Sequence, residues 1–184
     1  MSSRLTLLLV AIGVLTSACA TGVDTAAAGT TSLANDAAVA EVSAPDVATV
    51  GALWWTADTL DGDTFVAADL AGQRVVLWMW APWCSVCNRE APEVAAAIAD
   101  LPDDVTVIGI AGRDDVEPMR AFVEEHGLEG ITHVVDADGA VWASYGISYQ
   151  PAWVFVDEAG EAAVAAGALG YDGIFAGIEQ VFGS

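Results

Sequence analysis

Residues 83–87 read Trp-Cys-Ser-Val-Cys, which places two of the chain's three cysteines, Cys84 and Cys87, one helical turn apart. A pair so spaced can close a disulfide, hold a soft metal ion, or carry out thiol–disulfide exchange. In exchange a thiolate attacks a disulfide sulfur and a second thiol releases the mixed disulfide. A purely structural bridge closing so short a loop removes few unfolded conformations and adds little stability. A closed zinc site needs four ligands; the chain has no second cysteine pair, and its only histidines, His126 and His133, suit structural places better than ligand ones. We therefore assign no metal to this site. Two thiolates do suffice for linear Cu(I), so a metallochaperone stays open as an alternative, although Met79 lies within a buried-strand pattern.

The roles of the two sulfurs follow from what must flank them. Arg74 to Trp80, RVVLWMW, is an almost unbroken apolar run of β-prone residues, as expected of a central strand covered on both faces. Beyond the cysteines, Val94, Ala97, Ile98 and Leu101 recur at helical spacing. Cys84 would then stand at the mouth of a helix, where unpaired N–H groups and the dipole stabilise a thiolate. Such thiols fall from about 8.5 into a range of roughly 3.5 to 7.5. Cys84 is accordingly the attacking sulfur, and Cys87, set back one turn, the resolving one. Trp83 adjoins Cys84 and offers a platform for a substrate chain.

The remaining elements complete an α/β pattern. Segments around Thr56 and Phe65 flank the Asp61-Gly62 turn as an N-terminal β-strand pair. Val105–Ile110 reads as a second buried strand. Asp114 and Asp115 are set to cap a helix with Met119, Phe122, Val123 and His126 inward and Gly127 as its stop. His126 then suits the dipole at that helix end. THVV, Thr132–Val135, reads as a short strand, and a helical segment follows. AWVFV and EAAVAAG form a hairpin, and a helix from about Tyr171 to Phe182 closes the chain. The order β-α-β-α-β-β-α gives a mixed sheet with helices on both faces. Trp54 and Trp55 are read as core.

The run APWCSVCNREAPE and the segment YQPAWVFVDEAG together resemble the thioredoxin family. The C-x-x-C-x-x-E-x-P frame, with Glu90 and Pro92, is similar to its extracytoplasmic TlpA/ResA/DsbE-like branch. The longer stretches resemble secreted actinobacterial DsbE/DsbF-type proteins most. The resemblance covers Leu53 to about Phe182 and implies a thioredoxin-like fold. It also implies a protein thiol–disulfide oxidoreductase without an organic cofactor, acting on cysteine pairs of exported client proteins and recycled by a membrane redox partner. Pro151 falls in the family's cis-proline place, and Gln150-Pro151 would receive the substrate backbone. Thioredoxin's buried aspartate place is taken here by Trp78, so Glu90 becomes the available proton carrier for Cys87; its bland alternative is a solvated helix residue. A peroxidase would have threonine where Ala81 stands. Oxidation of clients is expected, at a potential less negative than thioredoxin's roughly −270 mV and short of DsbA's roughly −120 mV. Reduction, as in cytochrome c maturation, is the alternative, because the C-x-x-C-x-x-E-x-P spacing is shared with that branch.

Location bears on all of this, because disulfides persist outside the cytoplasm. Arg4 followed by the apolar run Leu5 to Leu15 has the form of an export signal, too short to span a bilayer comfortably. LTSAC resembles a bacterial lipobox, with Thr16 where leucine is usual. Residues 1–18 would be the signal peptide, Cys19 the lipidated residue, 19–50 a tether poor in aromatic side chains, and 51–184 the folded domain. The alternative is an ordinary secretory signal with Cys19 incidental. The net charge of −21, from 26 acidic and 5 basic residues, excludes nucleic acid and basic-patch lipid binding.

Overall fold

A computed structural model describes residues 51–183. The predicted signal peptide, Cys19 and the tether lie outside the described residues. A turn of 3-10 helix, Gly51–Leu53, leads to β1 (Thr56–Asp58) and β2 (Thr64–Val66), which pair antiparallel across the Asp61-Gly62 turn. Then come β3 (Arg74–Trp80), α1 (Ser85–Ala99), β4 (Val105–Gly112), α2 (Val116–His126) and β5 (Thr132–Asp136). The chain ends with α3 (Ala140–Ser144), β6 (Ala152–Val156), β7 (Ala162–Ala166) and α4 (Gly170–Phe182). This is the thioredoxin-like α/β fold with the expected strand pair.

The main sheet has five strands in the order β5-β4-β3-β6-β7, with β3, β4 and β5 parallel and β6 and β7 antiparallel to their neighbours. The central strand β3 is buried from Val75 to Trp80, which explains its unbroken apolar sequence. Because the three parallel strands end on the same side, the loops after Trp80, Gly112 and Asp136 gather there. β6 starts from that side as well. Ligand sites of α/β sheets form at such carboxyl ends.

Several boundaries differ from the sequence reading. THVV extends to Asp136 as a full fifth strand, so the main sheet gains a β-strand beyond the order read from the sequence. β4 runs on to Gly112, and Leu101 lies past the end of α1. Asp115 is the N-cap of α2, but its side chain makes no capping bond; the Asp114 carboxylate accepts its N–H instead. Trp54 is not core but 68% exposed. Trp55 is half-buried, stacked on Phe65 and donating to the Tyr145 hydroxyl at 2.7 Å. Both indoles lie in the irregular stretch before β1, where no helical or strand period marks which side chain turns inward.

Candidate active site

β3 delivers the chain to the site, and a tight turn hands it to α1: the Cys84 N–H donates to Ala81 O at 3.1 Å. Cys84 is the N-cap of α1, with extended backbone (φ −77, ψ 107), and its Sγ accepts the Cys87 N–H at 3.1 Å. Sulfur thus occupies the place of a capping oxygen, on a free donor of the first turn. No acidic residue stands in that first turn to oppose a thiolate. Cys84 and Cys87 are joined as a disulfide, their Cα atoms 5.2 Å apart. The two sulfurs are unequal: Cys84 is 5% exposed and Cys87 fully covered.

Trp83 stands over this junction, 55% exposed, with its indole N–H donating to Arg113 O at 3.2 Å. Arg113 adopts φ 61, a left-handed conformation uncommon for a side-chain-bearing residue, and its guanidinium lies 5.3 Å from the Trp142 ring. From the opposite side, the Gln150–Pro151 peptide is cis. Antiparallel pairing of Met79 with Ala152 carries Pro151 to the level of Trp80, beside the cysteine turn. Pro151 is buried, Gln150 half-buried, and Tyr149 is 43% exposed. The structure therefore brings Trp83, Cys84, Cys87, Gln150 and Pro151 to one end of the sheet.

Glu90 follows Cys87 by one turn on α1 and is 3% exposed, so it is not a solvated helix residue. Its Oε1 accepts from Leu169 N at 2.7 Å, Gly170 N at 3.3 Å and Trp153 Nε1 at 3.2 Å. Its Oε2 has no hydrogen-bond partner. Burial pushes the carboxyl above its ordinary range, more than the Leu169 and Gly170 N–H groups draw it down. Glu90 also lines a cleft of about 360 Å³ with Val86, Arg89, Glu93 and residues 168–170. Trp78, in thioredoxin's aspartate place, is fully buried between Trp80 and Trp153, with ring centroids 5.8 and 5.7 Å away.

Neither histidine joins the cysteines as a ligand set, and no group of three or more His, Cys, Asp or Glu able to hold a metal occurs among the described residues. His133 is buried, bonded through Nε2 to Leu128 O at 3.0 Å, and burial lowers its pKa. His126 does more than complement a helix end: its Nε2 meets Asn88 Oδ1 at 3.1 Å. Sequence reasoning missed Asn88, whose only signal was its position directly after Cys87. Arg113 escaped as well, because a left-handed arginine has no sequence signature.

Fold and site together define a thioredoxin-fold protein carrying a Cys-x-x-Cys disulfide at a helix N-terminus beside a cis-proline. The chain belongs to the AhpC/TSA family, which matches residues 41–164, and is related there to the actinobacterial DsbE/DsbF/MPT53 proteins. It is 48% identical over 103 residues to the soluble secreted antigen MPT53 of Mycobacterium tuberculosis, covering 56% of this chain and 58% of that protein. The chain thus spans rather more than half the length of this relative. Among solved structures it is similar to MTB dsbF, in mixed oxidized and reduced forms, with 40% identity and a TM-score of 0.67 over 70% of this chain and 96% of that one. It is also similar to a secreted Mycobacterium tuberculosis disulfide oxidoreductase homologous to E. coli DsbE. That match has 39% identity and a TM-score of 0.65 over 71% of this chain and 98% of the other.

Proposed function

We propose that the protein is an exported thiol–disulfide oxidoreductase that exchanges disulfides with cysteine pairs of other exported proteins. The observation that carries this reading is the Cys84 sulfur, disulfide-bonded to Cys87 while it caps α1 through the Cys87 N–H. In the reducing direction the Cys84 thiolate attacks a client disulfide, and one client sulfur leaves as a thiolate and takes up a proton. Cys87 then gives its proton to Glu90 and attacks Cys84. The Cys84–Cys87 bond forms, the mixed disulfide breaks, and the second client sulfur leaves as a thiol once protonated. Two electrons pass to the client, with one proton from Cys87 by way of Glu90 and one from solvent. The oxidising direction is the same sequence reversed. Trp83, Gln150 and Pro151 receive the client chain.

Two observations bear on direction. A capping sulfur with no acid in the first turn, and Trp78 in place of an anion, favour the reduced form and so an oxidant. The likeness to a DsbE-homologous protein favours the branch for which the C-x-x-C-x-x-E-x-P frame implied reduction. A buried Glu90 with a raised pKa suits a carrier of the Cys87 proton in either direction. Reduction is the better supported of the two. Cu(I) carriage by the same thiolates finds less support, since Met79 is fully buried in β3.

Export is supported by the signal-like residues 5–15 and by the likeness to a secreted antigen. We further propose cleavage after residue 18, lipid on Cys19 and a tether to residue 50, with a membrane redox partner for recycling. Equilibration with glutathione buffers, with assays of client reduction and client refolding, tests the direction. A potential below about −270 mV with client disulfides opened marks a reductase. A potential above that, with improved refolding of a reduced client, marks an oxidant.

A further inference from the structure

Asn88 follows the cysteine pair directly, and its amide is almost fully engaged. Its Nδ2 donates to Pro82 O and to Cys84 O, each at 2.9 Å. Its Oδ1 faces His126 Nε2 at 3.1 Å. A flipped amide would set its oxygen against two carbonyl oxygens, so this network admits one orientation. The oxygen can only accept, and His126 Nε2 must therefore carry a proton. Neutral imidazole in that tautomer and imidazolium both satisfy this, so the link holds in either charge state.

The consequence falls on the turn that carries Cys84. Its carbonyl receives two donors, Asn88 N at 3.0 Å and Asn88 Nδ2 at 2.9 Å, while its N–H goes to Ala81 O at 3.1 Å. Pro82 O, a dipole whose negative end lies in the same turn, is neutralised as well. The anchor is long-range: the His126 ring packs edgewise on Phe122 at 4.5 Å, and Phe122 stacks on Trp80 at 4.2 Å. Trp80 is the last residue of β3, so the chain Trp80–Phe122–His126–Asn88 returns to the same turn it started from.

We propose that Asn88, held by His126, is a positioning residue that fixes the Cys84 turn and helps its sulfur persist as a thiolate. The proposal rests on the reading of Cys84 as the attacking sulfur. Two bound carbonyl dipoles present less negative potential to the sulfur, and a fixed turn keeps that sulfur on the free N–H groups of α1. The titratable and charged groups nearest in the chain and across this turn are Arg89 and Glu90 on α1, Arg113 and Asp114 after β4, and His126 itself on α2. The segment 149–151 holds no carboxylate, guanidinium or imidazole. Of these, only His126 touches Asn88.

The test uses full-length protein with Asn88→Ala, His126→Leu and His126→Gln. The Cys84 alkylation rate by iodoacetamide is followed against pH, and the equilibrium with glutathione is measured. Asn88→Ala is expected to move the glutathione equilibrium about tenfold toward the disulfide, equivalent to 29.6 mV for a two-electron couple. It should also shift the alkylation profile to higher pH. His126→Leu should move both in the same direction by less, and His126→Gln, which keeps a donor, should restore the parent values. If Asn88→Ala and His126→Leu lower only the unfolding midpoint, and both redox readouts stay within twofold of the parent, the residues are merely structural and the proposal falls. A Cys84→Ser control separates this from the reading beneath it. Fast alkylation located at Cys87 in that variant by peptide mass mapping, which sets Cys19 apart, would overturn the role of Cys84 itself.

Discussion

The surroundings of Glu90 disfavour its charged form, and that makes it testable alone. Burial raises its pKa, so the folded state holds the proton more tightly than the unfolded chain, whose carboxyl titrates near 4.5. The stability this contributes is fully present below that unfolded value and is lost as pH rises through the folded one. Glu90→Gln keeps an oxygen for Leu169, Gly170 and Trp153 while removing the charge. It should therefore unfold at higher urea than the parent at neutral pH, by on the order of 1 kcal/mol, with the gain vanishing below pH 4.5. If Glu90 also carries the Cys87 proton, the same variant should resolve mixed disulfides more slowly despite its greater stability. Equal resolution rates would leave Glu90 as a buried cap for α4 and nothing more. The sequence showed the carboxylate and its spacing. It could not show burial, which depends on the loop at 168–170 folding back across α1.

At the scale of elements, the site is held by close contacts between strands and rings. Gly109 in β4 lies where an added Cβ would fall on the buried His133 ring and 3.0 Å from Trp80 Nε1. Gly109→Ala should destabilise by about 1–3 kcal/mol through overpacking, seen as a lower urea midpoint with an unchanged m-value. Redox chemistry should register in the neighbouring indoles. Reduction with dithiothreitol is expected to change tryptophan emission, and replacing Trp83 should remove much of that change. Dominance of exposed Trp54 would contradict the placement of the substrate face. β3, β6 and the helix after the cysteines were legible because apolar runs and 3.6-residue periodicity report burial directly, whereas β7 is exposed at four of its five positions and was marked by the turn before it. The full length of β5 was less legible, because THVVD has only three fully buried positions. Long-range contacts such as His126 to Asn88 left no local trace, since neither residue needs the other to satisfy its own helix.

For the whole molecule, the redox pair sits at the carboxyl ends of parallel strands on a strongly acidic chain, and its work depends on where that chain resides. Cys19→Ser should release the protein from the membrane fraction and leave exchange by the purified protein unchanged. An unchanged distribution, with no acyl mass on the mature N-terminus, would make Cys19 incidental. The fold itself does not decide the direction of electron flow, because either direction uses the same sulfurs in reverse order. Both directions pass through one intermediate, a client joined to Cys84. Trapping that intermediate is the most direct test. Full-length Cys87→Ala, expressed in cells that export it, should accumulate dithiothreitol-sensitive adducts with other exported proteins, linked through Cys84 by mass spectrometry. Cys84→Ala should accumulate none. Absence of adducts in both variants, or adducts formed equally through Cys87, would contradict the account.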